Sequence, residues 1–315
     1  MTGPGTPPAA PLERVVVSAP GKINLSLGVG GVDGRGYHQL ATVFHAVGLV
    51  ETITVERAVG LHLSLDSHVE GDVPLDGGNL ALRAAELLRA RGGVSEGAAI
   101  SIDKRVPVAG GMGGGSADAA ATLVALNRLW GLGIPPEELR RLGGELGADV
   151  PFAMLGRTAL GRGNGGDLSS VLAEGQWHWV LAVPGGQLST PEVYRRFDQL
   201  VLEHGRDVRQ VPEPDADQLQ ALRCGDVELL GQTLHNDLQG PAFTLHPGLE
   251  PVIALAEGAG ACGAIVSGSG PTIAVLARDA EHAAELAGVV QASGLVRETH
   301  CTTGGMPGAR ILEES

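Results

Sequence analysis

The sequence predicts an α+β protein of two domains. Three observations carry that expectation. Strand-like and helix-like patterns are mixed in both halves without a strict βαβ alternation, which disfavours a doubly wound sheet. A chain of 315 residues is long for a single core. A glycine-rich run at 107–122 (PVAGGMGGGSADAAAT) leads from a short strand into an alanine-rich helix in the middle of the first half.

The elements follow in order. Residues 1–13 are rich in Pro, Gly and Ala, without a basic start or an apolar stretch, and are expected to be a disordered tail rather than a signal peptide. Arg14–Ser18 is β-branched and reads as a strand, and Ile23–Val29 alternates apolar and polar residues. Val32–Gly36 is rich in turn residues. Leu40–Val47, Glu51–Glu56 and Leu61–Leu65 read as further strands. Asn79–Arg91 carries Leu80, Ala84, Leu87 and Leu88 at helical spacing. Residues 97–106 form a short strand into the glycine run, and a helix is expected over Ala117–Leu129. A prolyl pair at 135–136 opens another helix, which fades at Gly143–Gly147.

Residues 156–176 are glycine-rich and are taken as the seam, giving a first domain at 14–166 and a second at 167–315. Trp179–Val183 reads as a buried strand and Pro191–Leu202 as a helix, followed by a polar loop at 203–217. Helices are expected near 218–233, 248–258 and 282–292, with a strand pair at 264–266 and 272–276 and a final strand at the end.

Composition excludes several function classes. A hydrophobic share of 43% with 18% charged residues describes a soluble globular chain. The formal charge of −14 argues against nucleic acid or an anionic membrane surface as the main partner. Any phosphate ligand must then be held by local dipoles and a few cations. Cys224, Cys262 and Cys301 are scattered, with no C-x-x-C pair, so a reducing cytosol is expected and no disulfide or zinc framework. No apolar run reaches the length of a membrane span.

Four segments carry chemistry. In the glycine run, bare backbone N–H groups and the start of a helix converge on one spot, an arrangement suited to phosphate. Ser116 stands at the junction, where its hydroxyl caps the helix or meets a metal. The run lacks the Gly-Lys-Ser/Thr ending of a Walker loop, and Gly111, Gly113 and Gly114 do not fit the G-x-G-x-x-G spacing of a dinucleotide fold, which disfavours an oxidoreductase. Asp118 follows closely, as a helix-start charge or a metal ligand. In Pro20–Leu25, Lys22 and Asn24 share one face of an otherwise apolar strand, at an exposed edge or with a buried partner. In Gly147–Phe152, Asp149 sits among small and apolar neighbours before Pro151, either turning the chain or acting as a base or lysine partner. Ser267–Thr272 is a tight glycine turn between strands, for a hairpin or for close approach to a ligand.

Together and in this order, these segments resemble the GHMP kinase superfamily, along nearly the whole chain from about Arg14. Pro20–Leu25, Gly36-Tyr37-His38 and Gly147–Phe152, with the loop at 107–121 and His235-Asn236-Asp237-Leu238, resemble its subgroup acting on a cytidine-diphosphate-linked methylerythritol. The resemblance implies a first domain like ribosomal protein S5 domain 2, a ferredoxin-like second domain and an active site between them. It implies a cytoplasmic enzyme of non-mevalonate isoprenoid biosynthesis that uses ATP and Mg²⁺ to phosphorylate a tertiary hydroxyl. By the same resemblance Asp149 is the catalytic base and Lys22 its charge partner. Pro107, Gly110, Gly111, Gly113, Gly114, Gly115 and Ser116 hold the triphosphate, with Ser116 the candidate at the metal. Asn24, Tyr37, His38, Thr190 and Tyr194 face the acceptor, Tyr37 and Tyr194 as the aromatics around cytosine. Gly21 stands where alanine is frequent in the subgroup, and the loosely spaced Gly161–Asp167 run is assigned no contact. Other GHMP acceptors (mevalonate, homoserine, a sugar) and a binding protein without turnover are the rival expectations.

Overall fold

The computed structural model describes residues 12–34, 36–205 and 208–315, so most of the tail expected at 1–13 lies outside the described residues. Its last two residues are not loose. The Leu12 carbonyl accepts from Arg57 Nε at 2.7 Å, and Glu13 N–H donates to the Ser315 carbonyl at 2.7 Å.

The first sheet runs in the order β12 (Arg310–Glu314), β1 (Arg14–Val32), β2 (His38–Ala58), β4 (Gly97–Lys104) and β3 (Leu61–Ser67). The strand pairs expected at 14–29 and 40–56 are in fact two long, continuous strands. The register between them shifts by a bulge at Pro20/Gly21. Such a bulge bends a strand and re-aims the next side chain; here that side chain is Lys22. The bend lets β2 pair with β4 through Thr52–Ala58 and with β5 (Thr158–Gly163) through Leu40–His45.

The stretch expected as a domain seam therefore contains two strands of this sheet. Strand β5 pairs with β6 (Asp167–Ser170), so the 166/167 boundary falls at the β5–β6 hairpin, within one sheet. Strand β12 also returns to that sheet beside β1, because pairing partners are chosen by edge availability and not by sequence order.

Helices α1 (Leu80–Gly92) and α2 (Gly114–Leu129) cover one face of this sheet. Alanines 117, 119, 120, 121 and 125 of α2 are buried on nearly every side, and their small side chains let the helix lie close to β1, β2 and α1. Helix α2 begins at Gly114, three residues before the expected start. Its N-cap is Gly113, in the left-handed region at φ 70°, with no side-chain cap, so Ser116 lies in the first turn and does not cap the helix. The helix α3 (Pro136–Leu146) is followed by a short α4 (Val150–Leu155) directly after Asp149.

The second sheet runs β11 (Glu298–Thr303), β7 (His178–Val183), β10 (Ile273–Ala277) and β9 (Gly263–Val266), all antiparallel. Helices α9 (Leu249–Gly258) and α10 (Ala280–Ala292) pack their apolar faces on it, with Val180, Val275, Val252, Leu286 and Val290 at the centre. The expected helix near 218–233 is two helices, α6 (Ala216–Cys224) and α7 (Val227–Gln232); Gly225 ends the first and the Asp226 side chain caps the second. Helix α5 (Thr190–His204) opens on Pro191. Two short elements have no periodic signal in the sequence: β8 (His235–Asn236), which joins the first sheet parallel to β1, and α8 (Gln239–Leu245).

Candidate active site

A cavity of about 600 Å³ lies where the bend of β1, the glycine loop, α5 and the 267–272 turn meet. Lys22, Asn24, Asp149, Pro107, Gly110, Gly111, Gly113, Gly114, Gly115, Ser116, Thr190 and Tyr194 all line it. The tertiary structure thus brings together residues from both halves of the chain.

Lys22 is 7% exposed. Its Nζ donates to Asn24 Oδ1 at 2.8 Å and to the Gly111 carbonyl at 2.7 Å, and it lies 3.6 Å from Asp149 Oδ2. It also sits 5.8 Å over the Phe44 ring, which stacks on Phe152 of α4. Burial pushes the Lys22 ammonium below its ordinary range, against the opposing pull of Asp149. Asn24 is held in turn: its Nδ2 donates to Thr42 Oγ1, whose hydroxyl donates to the Ser26 carbonyl. The lysine is therefore a buried, fixed cation and not an edge-strand residue.

The glycine loop threads between Lys22 and the 267–272 turn. Lys22 N–H donates to the Met112 carbonyl at 2.9 Å, and Ser267 Oγ donates to the Gly111 carbonyl at 3.1 Å. A Cβ on Gly111 would lie 2.0 Å from the Ser267 carbonyl oxygen, so only glycine lets the loop pass there. The turn at 267–272 is the expected hairpin, between β9 and β10, and its backbone also closes on the glycine loop.

Tyr194 lines the cavity, and His38, which does not line it, packs behind Tyr194. Their rings stack at 5.4 Å, His38 Nδ1 donates to the Gly30 carbonyl, and its Nε2 lies 3.3 Å from Asp198. Burial, together with the negative charge of Asp149, pushes the Tyr194 phenol above its ordinary value. Thr190 exchanges a hydroxyl hydrogen bond with Ser269 at 2.8 Å. Tyr37 is not drawn into this group: it is 62% exposed and does not line the cavity.

Sequence reasoning missed the other wall. The chain has only two lysines, and the second, Lys104, also lines the cavity. Its Nζ lies 2.8 Å from Glu51 Oε1 and 2.6 Å from Asp118 Oδ2, all three side chains being almost wholly buried. Glu51 also accepts from the backbone N–H groups of Arg105 and Val106. Asp118 is therefore neither an exposed helix-start charge nor a free carboxylate. Burial raises the Glu51 carboxyl to about 7 despite Lys104, while the two carboxylates together hold Lys104 above its ordinary range against burial. Strand phase was the available signal: Ile100, Ile102 and Lys104 share the inward face of β4.

Among the described residues no cluster of three or more His, Cys, Asp or Glu side chains is placed to hold a metal. No helix among them is long and apolar enough to cross a membrane.

A glycine loop thus opens a helix over a lysine–carboxylate pair, with a glycine turn closing on both. Residues 79–157 match the family described as GHMP kinases N terminal domain, and residues 218–294 match GHMP kinases C terminal. Among curated proteins, 4-diphosphocytidyl-2-C-methyl-D-erythritol kinase of Leifsonia xyli subsp. xyli is 46% identical over 96% of this chain and all of its own. The protein of the same name from Clavibacter michiganensis subsp. michiganensis is 47% identical over 98% of this chain and 99% of its own. A crystal structure of 4-(cytidine 5'-diphospho)-2C-methyl-D-erythritol kinase superposes with a TM-score of 0.76 at 34% identity, over 92% of this chain and 99% of the other. A mevalonate kinase from L. major, at 17% identity, 92% and 95% coverage and a TM-score of 0.74, shares the fold. The chain belongs to the GHMP kinases, in the family of the 4-diphosphocytidyl-2-C-methyl-D-erythritol kinases.

Proposed function

We propose that this chain transfers the γ-phosphoryl group of ATP to the tertiary 2-hydroxyl of 4-diphosphocytidyl-2-C-methyl-D-erythritol, in the cytoplasm, as a step of non-mevalonate isoprenoid synthesis. One observation carries the chemistry: Asp149 and Lys22 meet at 3.6 Å in the cavity under the glycine loop. A hydroxyl is a weak nucleophile, and a carboxylate within reach takes its proton. The hydroxyl oxygen forms the new bond to γ-phosphorus, the bond from γ-phosphorus to the bridging oxygen breaks, and ADP leaves with that electron pair. Asp149 receives the proton. Lys22, fixed by Asn24 and Gly111, balances the Asp149 charge and offsets charge at the transferring oxygens.

The N–H groups of loop 110–116 and the start of α2 hold the triphosphate in an otherwise acidic protein. Alignment and charge neutralisation supply most of the rate. For magnesium the cavity offers the Ser116 hydroxyl and the carboxylates of Asp149 and the exposed Asp72, the third lining carboxylate, Asp118, being held by Lys104. That donor set fits a cation carried mainly by phosphate oxygens, whose contribution when bound is to neutralise the β- and γ-phosphates. Tyr194, backed by His38, supplies a face for the cytosine ring, while Tyr37 is exposed and outside the cavity lining.

The test is ADP release with Mg·ATP, comparing the cytidine compound with mevalonate, homoserine and galactose. Turnover with the cytidine compound alone is expected. Turnover with another acceptor keeps the fold and the phosphate loop but removes the cytosine assignment. Absence of turnover with all four, in folded protein, leaves a binding protein.

A further inference from the structure

Asn236 lies in the His235–Leu238 segment, which the site as described leaves without a task. It is 7% exposed, and its amide is fully used. Nδ2 donates to the Val266 carbonyl at 2.8 Å and to the Gly268 carbonyl at 2.7 Å, while Oδ1 accepts from Leu238 N–H at 2.8 Å. Only one orientation of the amide satisfies two carbonyls and one N–H, so the side chain is locked.

Its own backbone is anchored to the strand that carries Lys22. Strand β8 pairs with β1 at Ser26 and Leu27, Asp237 N–H donates to the Leu27 carbonyl, and the Asp237 carboxylate accepts from Val29 N–H at 2.8 Å. The far end of the link is the glycine turn. Gly268 sits at φ 56°, and a Cβ there would lie 3.1 Å from Lys22 Nζ and 3.3 Å from Asn24 Oδ1. The neighbouring Ser267 hydroxyl holds the Gly111 carbonyl, which is also a partner of Lys22 Nζ.

We infer that Asn236 is a positioning residue for Lys22: by gripping the carbonyls of Val266 and Gly268 from β8, it presses the 267–270 turn against the lysine and fixes its Nζ between Gly111 and Asp149. The inference rests on the proposed role of Lys22. It differs from a plain stability role in what it predicts. Phosphoryl transfer depends on the placement of the lysine, whereas nucleotide and acceptor binding rest on other residues.

The experiment uses Asn236→Ala and Asn236→Asp in the full chain. The aspartate keeps the shape and can still accept from Leu238 N–H, but when ionised it sets one acceptor oxygen, in place of Nδ2, against two carbonyls. Each variant is assayed per folded molecule, counted by ADP binding. The expected result is a fall in kcat of about tenfold or more, with KM for ATP and acceptor changed less than about threefold. A second readout needs no substrate. With only two lysines, ¹³Cε labelling gives two signals. The Lys22 signal should move in both variants while that of Lys104 stays. Wild-type kcat per folded molecule, or an unmoved Lys22 signal, overturns the inference, also where the variants are merely less stable. If the wild type turns over no acceptor, the functional reading fails instead, and the lysine signals still decide whether Asn236 positions Lys22.

Discussion

The two lysines stand at the two flanks of one glycine loop, both nearly buried, and are held in opposite ways. Lys104 faces two carboxylates at 2.6 and 2.8 Å, with Glu51 further braced by two backbone N–H groups. Lys22 has neutral oxygens at hydrogen-bond distance and its single carboxylate farther off, at 3.6 Å and about a third exposed. Burial disfavours both ammonium groups; two close carboxylates overcome that for Lys104, and one distant carboxylate does not for Lys22. The first is saturated and ties β2, β4 and α2 together below the loop. The second has charge to spare for a ligand. The same residue type at the same depth is thus bound by two close carboxylates in one corner and mainly by neutral oxygens in the other.

The contrast is broken most directly at the Lys22 corner. Asp149→Asn removes the proposed proton acceptor and should lower kcat by about 10³-fold, with ADP affinity, read by calorimetry, changed by less than about twofold. Next comes the exchange of each lysine for methionine. Lys104→Met strands two buried carboxylates and should cost about 3–5 kcal/mol in urea unfolding. Lys22→Met leaves a carboxylate that water reaches, so stability changes little while kcat falls by about 10²-fold. Equal losses of stability in the two would erase the distinction.

Glu51 sharpens it through pH. Its carboxyl lies near 7 in the folded chain against an ordinary value of 4.5, so the fold binds that proton more tightly than the unfolded chain. The stability that this proton lends is complete below about 4.5 and is lost as pH rises through about 7. Glu51→Gln should flatten this part of a stability-versus-pH curve measured by denaturant titration. An unchanged slope between those pH values would mean the triad is not a buried ion group. The smallest effects are expected at the acceptor side. Tyr194→Ala should raise KM for the cytidine compound about tenfold, the worth of one stacked base. Tyr37→Ala, at an exposed residue outside the cavity lining, should raise it less.

Much of the site was legible because its chemistry is local. Glycines before an alanine-rich helix, a lysine and an asparagine two apart in a strand, and an aspartate before Val150-Pro151 are each readable within a few residues. Lys104 and Asp118 were not, since a buried ion triad is made by strands and a helix that meet only after folding. Tyr37 illustrates the converse: its neighbour His38 reaches Tyr194, while Tyr37 itself turns outward.

By itself, the sequence determined the α+β class, most strands and helices, the glycine loop and the polar residues Lys22 and Asp149, because periodicity, glycine placement and polar residues in apolar runs act over short distances. Tertiary structure alone decided that β5 and β6 extend the first sheet, that β12 returns to it, and that β8 ties the glycine turn to β1. It also decided which lysine has two carboxylates at hydrogen-bond distance and which has one farther off. Those outcomes depend on how many opposite charges are brought into hydrogen-bond contact with a buried group, and only long-range packing sets that distance.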